Sequence, residues 1–359
     1  MTWESPGFVD HHVHLLRVAA KDWGDKYDLS NLESIGAWHR SVAAKGSTPM
    51  DEHGPMGERE DLPGMLERGL RHARDLGLVQ VTEAGMTDWA YLEALTELRE
   101  QDRMPIRVRI LVASGAADID RMARLGDDWL EVIGVKLYSD GWLGPRSCAL
   151  CEPYADDPDS KGVLFLDRDA LCRRIEPYAE AGWTVATHAI GDRAIEAVLD
   201  AYAAVWDDDC AAAAPRIEHA QVLQPHLIER MAHLGVVACI QPGFGVTDAS
   251  AVRTALGSER AKYAYNWNAL LDGGARVIAG SDYPIESLSP LEGLARMVSG
   301  AGEDGVQATE AVALDRVLPL MTDANAGTTV LSEDPADVDP VHIRRIEVVD
   351  AVPTGGEGS

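Results

Sequence analysis

A chain of 359 residues, 46 % hydrophobic but only 6 % aromatic, can bury a large core of Ala, Val, Leu and Ile on the scale of one α/β barrel with insertions. Its 32 Lys and Arg against 59 Asp and Glu leave a formal charge of −27, which excludes the basic footprint that nucleic acids and anionic membrane surfaces demand. No apolar run reaches the ~18 residues of a membrane span, and five cysteines in so long a chain make no disulfide scaffold.

The segment Met1–Gly7 lacks the basic and apolar regions of a secretory signal. A cytoplasmic protein with a small-molecule partner, and with neither nucleic acid nor membrane as partner, is the expectation.

The first strand is predicted over Gly7–His14 (GFVDHHVH). A long connection, Leu15–Leu62, follows and is rich in Gly, Pro, Ser and charge over Lys45–Asp61. Pro63–Leu76 then sets Leu66, Leu70 and Ala73 at helical spacing. Val79–Ala84 reads as a strand, Tyr91–Leu98 as a helix, and Arg107–Val112 and Val132–Leu137 as two further strands. A second long connection spans Ser139–Leu166. Both connections follow a strand end, where loops of that length are usually functional. Thr184–His188 is the fifth strand, and Ala194–Trp206 carries a helical stripe of Ile195, Val198, Leu199 and Tyr202 behind Asp192, which is expected to cap it. Arg216–His219, Val236–Ile240 and Arg276–Ser281 complete a set of eight strands.

Short β-branched runs alternating with helices describe parallel strands buried on both faces. Eight of them are expected to close into a (β/α)8 TIM barrel over residues 1–321. Residues 322–359 contain one strand-like stretch, Ile343–Val349, and end in PTGGEGS, expected to be a disordered tail.

Six residues of metal-ligand chemistry fall at or just past strand ends, where barrel enzymes build their sites. In Asp10-His11-His12-Val13-His14 the two residues i and i+2 share a strand face, so His12 and His14 can grip one cation. Lys136 closes an otherwise apolar strand; a buried ammonium there must be paired, carried to solvent or modified. Pairing with Asp140 is one outcome and carbamylation by CO2, which makes an anionic ligand, is another. His188 and His219 end successive strands, and neutral imidazole binds zinc and related metals. Either alone reads equally as a hydrogen-bonded core histidine. Asp282 can bind metal and take a proton from activated water, or cap the turn before Pro284. Cys148 and Cys151 form a lone CxxC without a second pair nearby, read as free thiols in a loop.

With these residues in order, the chain resembles the amidohydrolase superfamily of metal-dependent hydrolases, and more closely its N-substituted formamide deformylase-like branch. The resemblance is carried by PGFVDHHVHLL, GVKLYSDGWLGPRS, THAIGDRAIEAV, RIEHAQVL and AGSDYPIESLSPLEGL. It implies that His12 and His14 hold one metal with Asp282, that His188 and His219 hold a second, and that carboxylated Lys136 bridges the two. It implies two divalent ions per chain, zinc first with Mn2+ or Fe2+ as alternatives, and a bridging hydroxide that attacks a carbonyl carbon. Asp282 would accept the proton and deliver it to the leaving nitrogen, hydrolysing the C–N bond of an amide, formamide or cyclic amide.

The chain departs from the family in its outline. The HxH motif lies nearer the start than is usual and the C-terminal strands are fewer, so the β-sandwich is expected to be reduced or absent. The exposed base of such a barrel would favour a homo-oligomer. Trp142 and Tyr283 stand where the family has small residues, reshaping the pocket. Tyr138, Trp142, Arg146 and Glu83 are candidate substrate contacts, with Glu83 equally able to support a metal ligand. Two other readings stand beside hydrolysis: deamination, dehydration or isomerisation of a specialised metabolite on the same fold, or a non-enzymatic metal-binding protein.

Overall fold

The computed structural model describes residues 2–14, 32–49, 61–123, 126–302, 305 and 308–355. Eight strands follow one another around a single sheet: β1 (Trp3–Val13), β2 (Leu78–Met86), β3 (Arg107–Ala113), β4 (Leu130–Tyr138), β5 (Thr184–Ala189), β6 (Arg216–His219), β7 (Val237–Ile240) and β8 (Arg276–Ala279). Each pairs with the next in parallel. Helices fill the crossovers, among them Leu62–Asp75, Trp89–Glu100, Arg168–Glu180, Asp192–Val205 and Pro225–Leu234. The architecture is the expected (β/α)8 TIM barrel.

The helices form where the sequence supplies both a start signal and a stripe. Asp61 accepts a hydrogen bond from the Gly64 amide and Pro63 occupies the first turn, after which Leu66, Leu70 and Ala73 face the core. Ile195, Val198, Leu199 and Tyr202 are buried as their spacing requires. The cap of that helix is Gly191; Asp192 is its first residue, and its carboxylate accepts from Cys151 N at 2.8 Å and Gln224 Nε2 at 2.7 Å.

The first and last parallel strands meet just beyond β8. Asp282 N donates to His12 O at 2.7 Å and His14 N to Tyr283 O at 2.8 Å. Asp10 Oδ1 reinforces the seam by accepting from His12 N at 3.0 Å and Ser281 N at 2.9 Å. Gly280 makes this approach feasible, because a Cβ there would lie 2.4 Å from the His12 backbone nitrogen.

β1 is longer than its barrel role needs. Its first half, Trp3–Phe8, pairs antiparallel with β9 (Thr322–Leu331), which pairs in turn with β10 (Val348–Pro353). Phe8 is the pivot, partnered by Thr322 on one side and Leu78 on the other.

The C-terminal segment therefore holds two strands where one was expected. Ile343 lies in a 3-10 turn, Pro340–Arg345, with Ile343 and Ile346 buried three residues apart, the period of that turn; of the expected stretch only Val348 and Val349 fall in β10. β9, rich in Ala, Asn, Asp and Gly, has little strand propensity and owes its conformation to its partners. Pro353 belongs to β10, and Thr354 N donates to Ala326 O at 2.8 Å, so the ordered chain reaches further into PTGGEGS than expected; residues 356–359 lie outside the described part.

The connection after β1, expected as loop, contains a helix, Leu32–Ala44; residues 15–31 and 50–60 lie outside the described residues. Among the described residues no helix is long and apolar enough to cross a membrane.

Candidate metal centre

All six candidate ligands converge on one end of the barrel and all are buried. His12 and His14 come from the end of β1, Lys136 from β4, His188 from β5, His219 from the last position of β6 and Asp282 from the turn after β8. Asp282 Oδ1 lies 3.4 Å from His12 Nε2 and 3.2 Å from His14 Nε2. The ring of His12 is 4.9 Å from that of His219, which is 4.5 Å from that of His188. His219 and Asp282 hold φ of 76° and 59°, left-handed conformations that cost a non-glycine residue energy and cluster at functional sites.

Each histidine is oriented by what its other nitrogen touches. His219 Nδ1 donates to Gln241 Oε1 at 2.8 Å, which leaves the lone pair on Nε2. His188 Nε2 donates to Gly141 O at 3.1 Å, with Asp140 Oδ1 at 3.4 Å, which leaves the lone pair on Nδ1. His12 Nδ1 donates to Glu218 Oε2, and His14 Nδ1 is 3.6 Å from Glu83 Oε1. Burial pulls His219 down to about 3, and burial with the neighbouring His219 holds His188 well below its ordinary value. Both are neutral imidazoles, the form that ligates metal. Asp282 stays ionised: burial pushes it up, but His12 and His14 hold it well below the usual carboxylate range.

The donor set fits a divalent metal. His12 Nε2, Lys136 Nζ and His188 Nδ1 are buried polar atoms without a hydrogen-bond partner, a state that costs roughly 1–3 kcal/mol per group if nothing satisfies it. His12, His219 and Asp282 bring ligand atoms within 4.8 Å of one another. Imidazole and carboxylate donors together suit zinc and its neighbours in the transition series.

Asp140 does not serve Lys136. Its carboxylate accepts from Ala149 N at 2.9 Å, Ile190 N at 3.0 Å and Gly191 N at 2.9 Å, tying the loop after β4 to the end of β5. Lys136 Nζ lies 5.2 Å from the Tyr138 ring centroid.

Among the expected substrate contacts, Tyr138 stacks on His188 with centroids 4.4 Å apart and planes 14° from parallel. Trp142 is half-buried on the adjoining loop, its ring 5.5 Å from that of His39. Glu83 stands beside His14. Arg146 does not join the cluster. Its Nε and one terminal nitrogen grip Asp156 at 2.6–3.0 Å, and the other terminal nitrogen donates to Leu143 O and Gly144 O. Cys148 and Cys151 are free; Cys148 Sγ sits 3.0 Å from Tyr154 Oη.

Three residues that touch the ligands were not singled out from the sequence: Arg216, Glu218 and Gln241. Their signal is present. Arg-x-Glu at i and i+2 puts two charges on one face of a short strand buried on both sides, and Gln241 is a polar residue just past the apolar run of β7.

Fold and centre together define a (β/α)8 protein with a metal-ligand cluster at the C-terminal ends of its strands. The chain belongs to the amidohydrolase family: residues 43–334 match the family model, a range that contains Lys136, His188, His219 and Asp282 and begins beyond His12 and His14. It is 34 % identical over 277 residues to Bacillus subtilis (strain 168) YtcJ, named as an amidohydrolase, covering 70 % of this chain and 52 % of that one. N-substituted formamide deformylase of Arthrobacter pascens is more distant, 29 % identical over 193 residues, covering 48 % of this chain and 35 % of that one. The chain thus spans about half the length, or less, of these curated relatives. Its fold resembles an uncharacterized metal-dependent hydrolase from Pyrococcus horikoshii OT3, with a TM-score of 0.72 at 22 % identity, covering 95 % of this chain and 88 % of that one.

Proposed function

We propose that the protein is a metal-dependent hydrolase of C–N bonds in amides, formamides or cyclic amides, with His12, His14, His188, His219, Asp282 and a carboxylated Lys136 holding two divalent ions. The observation that carries this reading is the set of buried, partnerless nitrogens on His12, Lys136 and His188, gathered with His14 Nε2 near the Asp282 carboxylate.

Lys136 is suited to carboxylation. Burial, partly offset by Glu218 and Asp282, holds its ammonium below the ordinary lysine value and favours the nucleophilic free amine. That amine adds to the carbon of CO2 and releases one proton, giving a carbamate whose oxygens can reach two ions.

Divalent ions supply Lewis acidity toward the substrate carbonyl and lower the pKa of water toward neutrality. Asp282, ionised and beside both β1 histidines, accepts the proton of the attacking water. The water oxygen bonds to the carbonyl carbon, the C–N bond breaks, and Asp282 returns the proton to the departing nitrogen. Tyr138 and Trp142, at the end of β4 and on the loop that follows, offer aromatic surface for the substrate.

The test is elemental analysis of protein prepared with bicarbonate and without chelators, followed by turnover on a panel of amides and N-substituted formamides. Close to two ions per chain and release of amine support the reading. Failure to bind zinc or manganese overturns it, and full metal loading without turnover on any amide transfers the site to deamination, dehydration or isomerisation.

A further inference from the structure

His12 stands between two groups of potential ligands. One is His12, His219 and Asp282; the other is His12, Glu218 and Cys239, and in each the donor atoms lie within 4.8 Å of one another. The groups use opposite ring nitrogens. Nε2 is 3.4 Å from Asp282 Oδ1, whereas Nδ1 meets Glu218 Oε2.

The second group already has a cation, supplied by the chain. Arg216 Nε donates to Glu218 Oε1 at 2.7 Å, and one of its terminal nitrogens donates to His11 O at 2.7 Å. Cys239 Sγ lies 3.8 Å from that same carbonyl. Arg216 and Glu218 are two residues apart on β6 and therefore share its inner face. A guanidinium so placed neutralises the carboxylate and opposes any second positive ion there.

An ionised carboxylate only accepts hydrogen bonds. With Glu218 fixed against Nδ1, that nitrogen must carry a proton, and Nε2, which faces Asp282, is the nitrogen left to bind a metal. We propose that Glu218, held by Arg216, is a positioning residue that fixes His12 as the Nδ1–H tautomer and commits its Nε2 to the metal centre. The inference rests on the metal-centre reading above and adds to it the residues that decide which face of His12 binds.

Three metal-free proteins test it: wild type, Glu218→Gln and the double variant Arg216→Met with Glu218→Gln. Each is titrated with Zn2+ against a chromophoric chelator, melted without metal, and examined by 15N NMR of labelled histidines in alkaline buffer. A His12→Asn sample assigns the His12 signal. Wild type should show the Nδ1–H tautomer, and Glu218→Gln, whose amide can donate as well as accept, should lose that preference. Zn2+ affinity should fall roughly 10- to 100-fold in Glu218→Gln, as for other residues that support a metal-bound histidine.

Glu218→Gln also strands the Arg216 charge and should lower the melting temperature. The double variant removes both buried charges, so it should recover much of the melting temperature while its affinity stays weak. Recovery of affinity together with stability would reduce Glu218 to a purely structural role and overturn the proposal. An unchanged tautomer in Glu218→Gln would overturn it too. Wild type that binds no Zn2+ but shows the Glu218-dependent tautomer would overturn the metal reading instead, leaving Glu218 as the residue that positions His12.

Discussion

Nδ1 of His219 lies 2.8 Å from Oε1 of Gln241, whose amide nitrogen is tied back to Cys239 O at 3.1 Å. The second bond settles which end of the Gln241 amide faces the ring, and therefore which imidazole nitrogen is free. Gln241→Leu keeps the bulk but removes the acceptor. Its Zn2+ affinity in a chelator competition should drop by roughly one to two orders of magnitude. An affinity equal to wild type would show that backbone strain at His219 alone orients the ring.

Asp282 and His188 should fail in different ways. Asp282→Asn loses the charge that takes the proton, so turnover of any amide substrate should fall by at least roughly a hundredfold, the usual scale for a general base. His188→Ala removes one buried ligand and should lower the metal content measured by elemental analysis. Full metal content in His188→Ala would remove that residue from the centre.

The metal-free protein should lose stability in acid through buried histidines outside the ligand set. His39 Nδ1 sits 2.8 Å from Ser147 Oγ, and burial, with Arg40 beside it, pulls its pKa from 6.5 down to about 4. The unfolded chain therefore takes up a proton at this site at higher pH than the folded one. Its contribution is complete above about pH 6.5 and is lost as pH falls toward about 4, by up to about 3 kcal/mol at ~1.4 kcal/mol per pKa unit. Melting temperatures between pH 7 and pH 5 (in chelator) should fall less steeply for His39→Gln than for wild type. Parallel slopes would assign the acid sensitivity elsewhere.

Gly280→Ala should be costly although alanine is small. The new Cβ would meet the His12 backbone nitrogen at 2.4 Å and the His12 Cβ at 2.7 Å. Neither can retreat without opening the seam between β1 and the turn after β8, so destabilisation of about 1–3 kcal/mol is expected from denaturant titration. Zn2+ affinity should fall with it, because the same shift moves His12. A stable variant with weakened metal binding would show that the seam yields locally.

The barrel strands were legible because each is a short β-branched run between helical stripes, and the candidate ligands because each falls near or just past the end of such a run. β9 was not legible: Ala324-Asn325-Ala326-Gly327 at its centre is poor strand material, and the strand is held by its flanks, Thr322–Asp323 and Thr328–Leu331, which pair with Trp3–Phe8 more than three hundred residues away. The supporting residues were hidden for another reason. Glu218 sits beside a conspicuous histidine, yet only the three-dimensional approach of β6 to β1 gives its charge a purpose. Arg146, a candidate substrate contact from its place after β4, has its guanidinium engaged by Asp156 and two loop carbonyls, partners that the sequence alone does not pair with it.

β1 belongs to two pairings at once, parallel to β2 through one half and antiparallel to β9 through the other. Its first half cannot acquire its β9 partner until residues beyond 320 have left the ribosome, and its last half carries His12 and His14. Such long-range closure is slow, and domains made in vivo collapse as they emerge. The half of β1 that pairs with β9, at Trp3–Phe8, is therefore among the last parts to be completed during biosynthesis, later than the segments that carry the six candidate ligands. A nascent chain stalled before β9 would expose an unfinished edge at Trp3–Phe8, a site for chaperone capture or aggregation that the finished protein conceals.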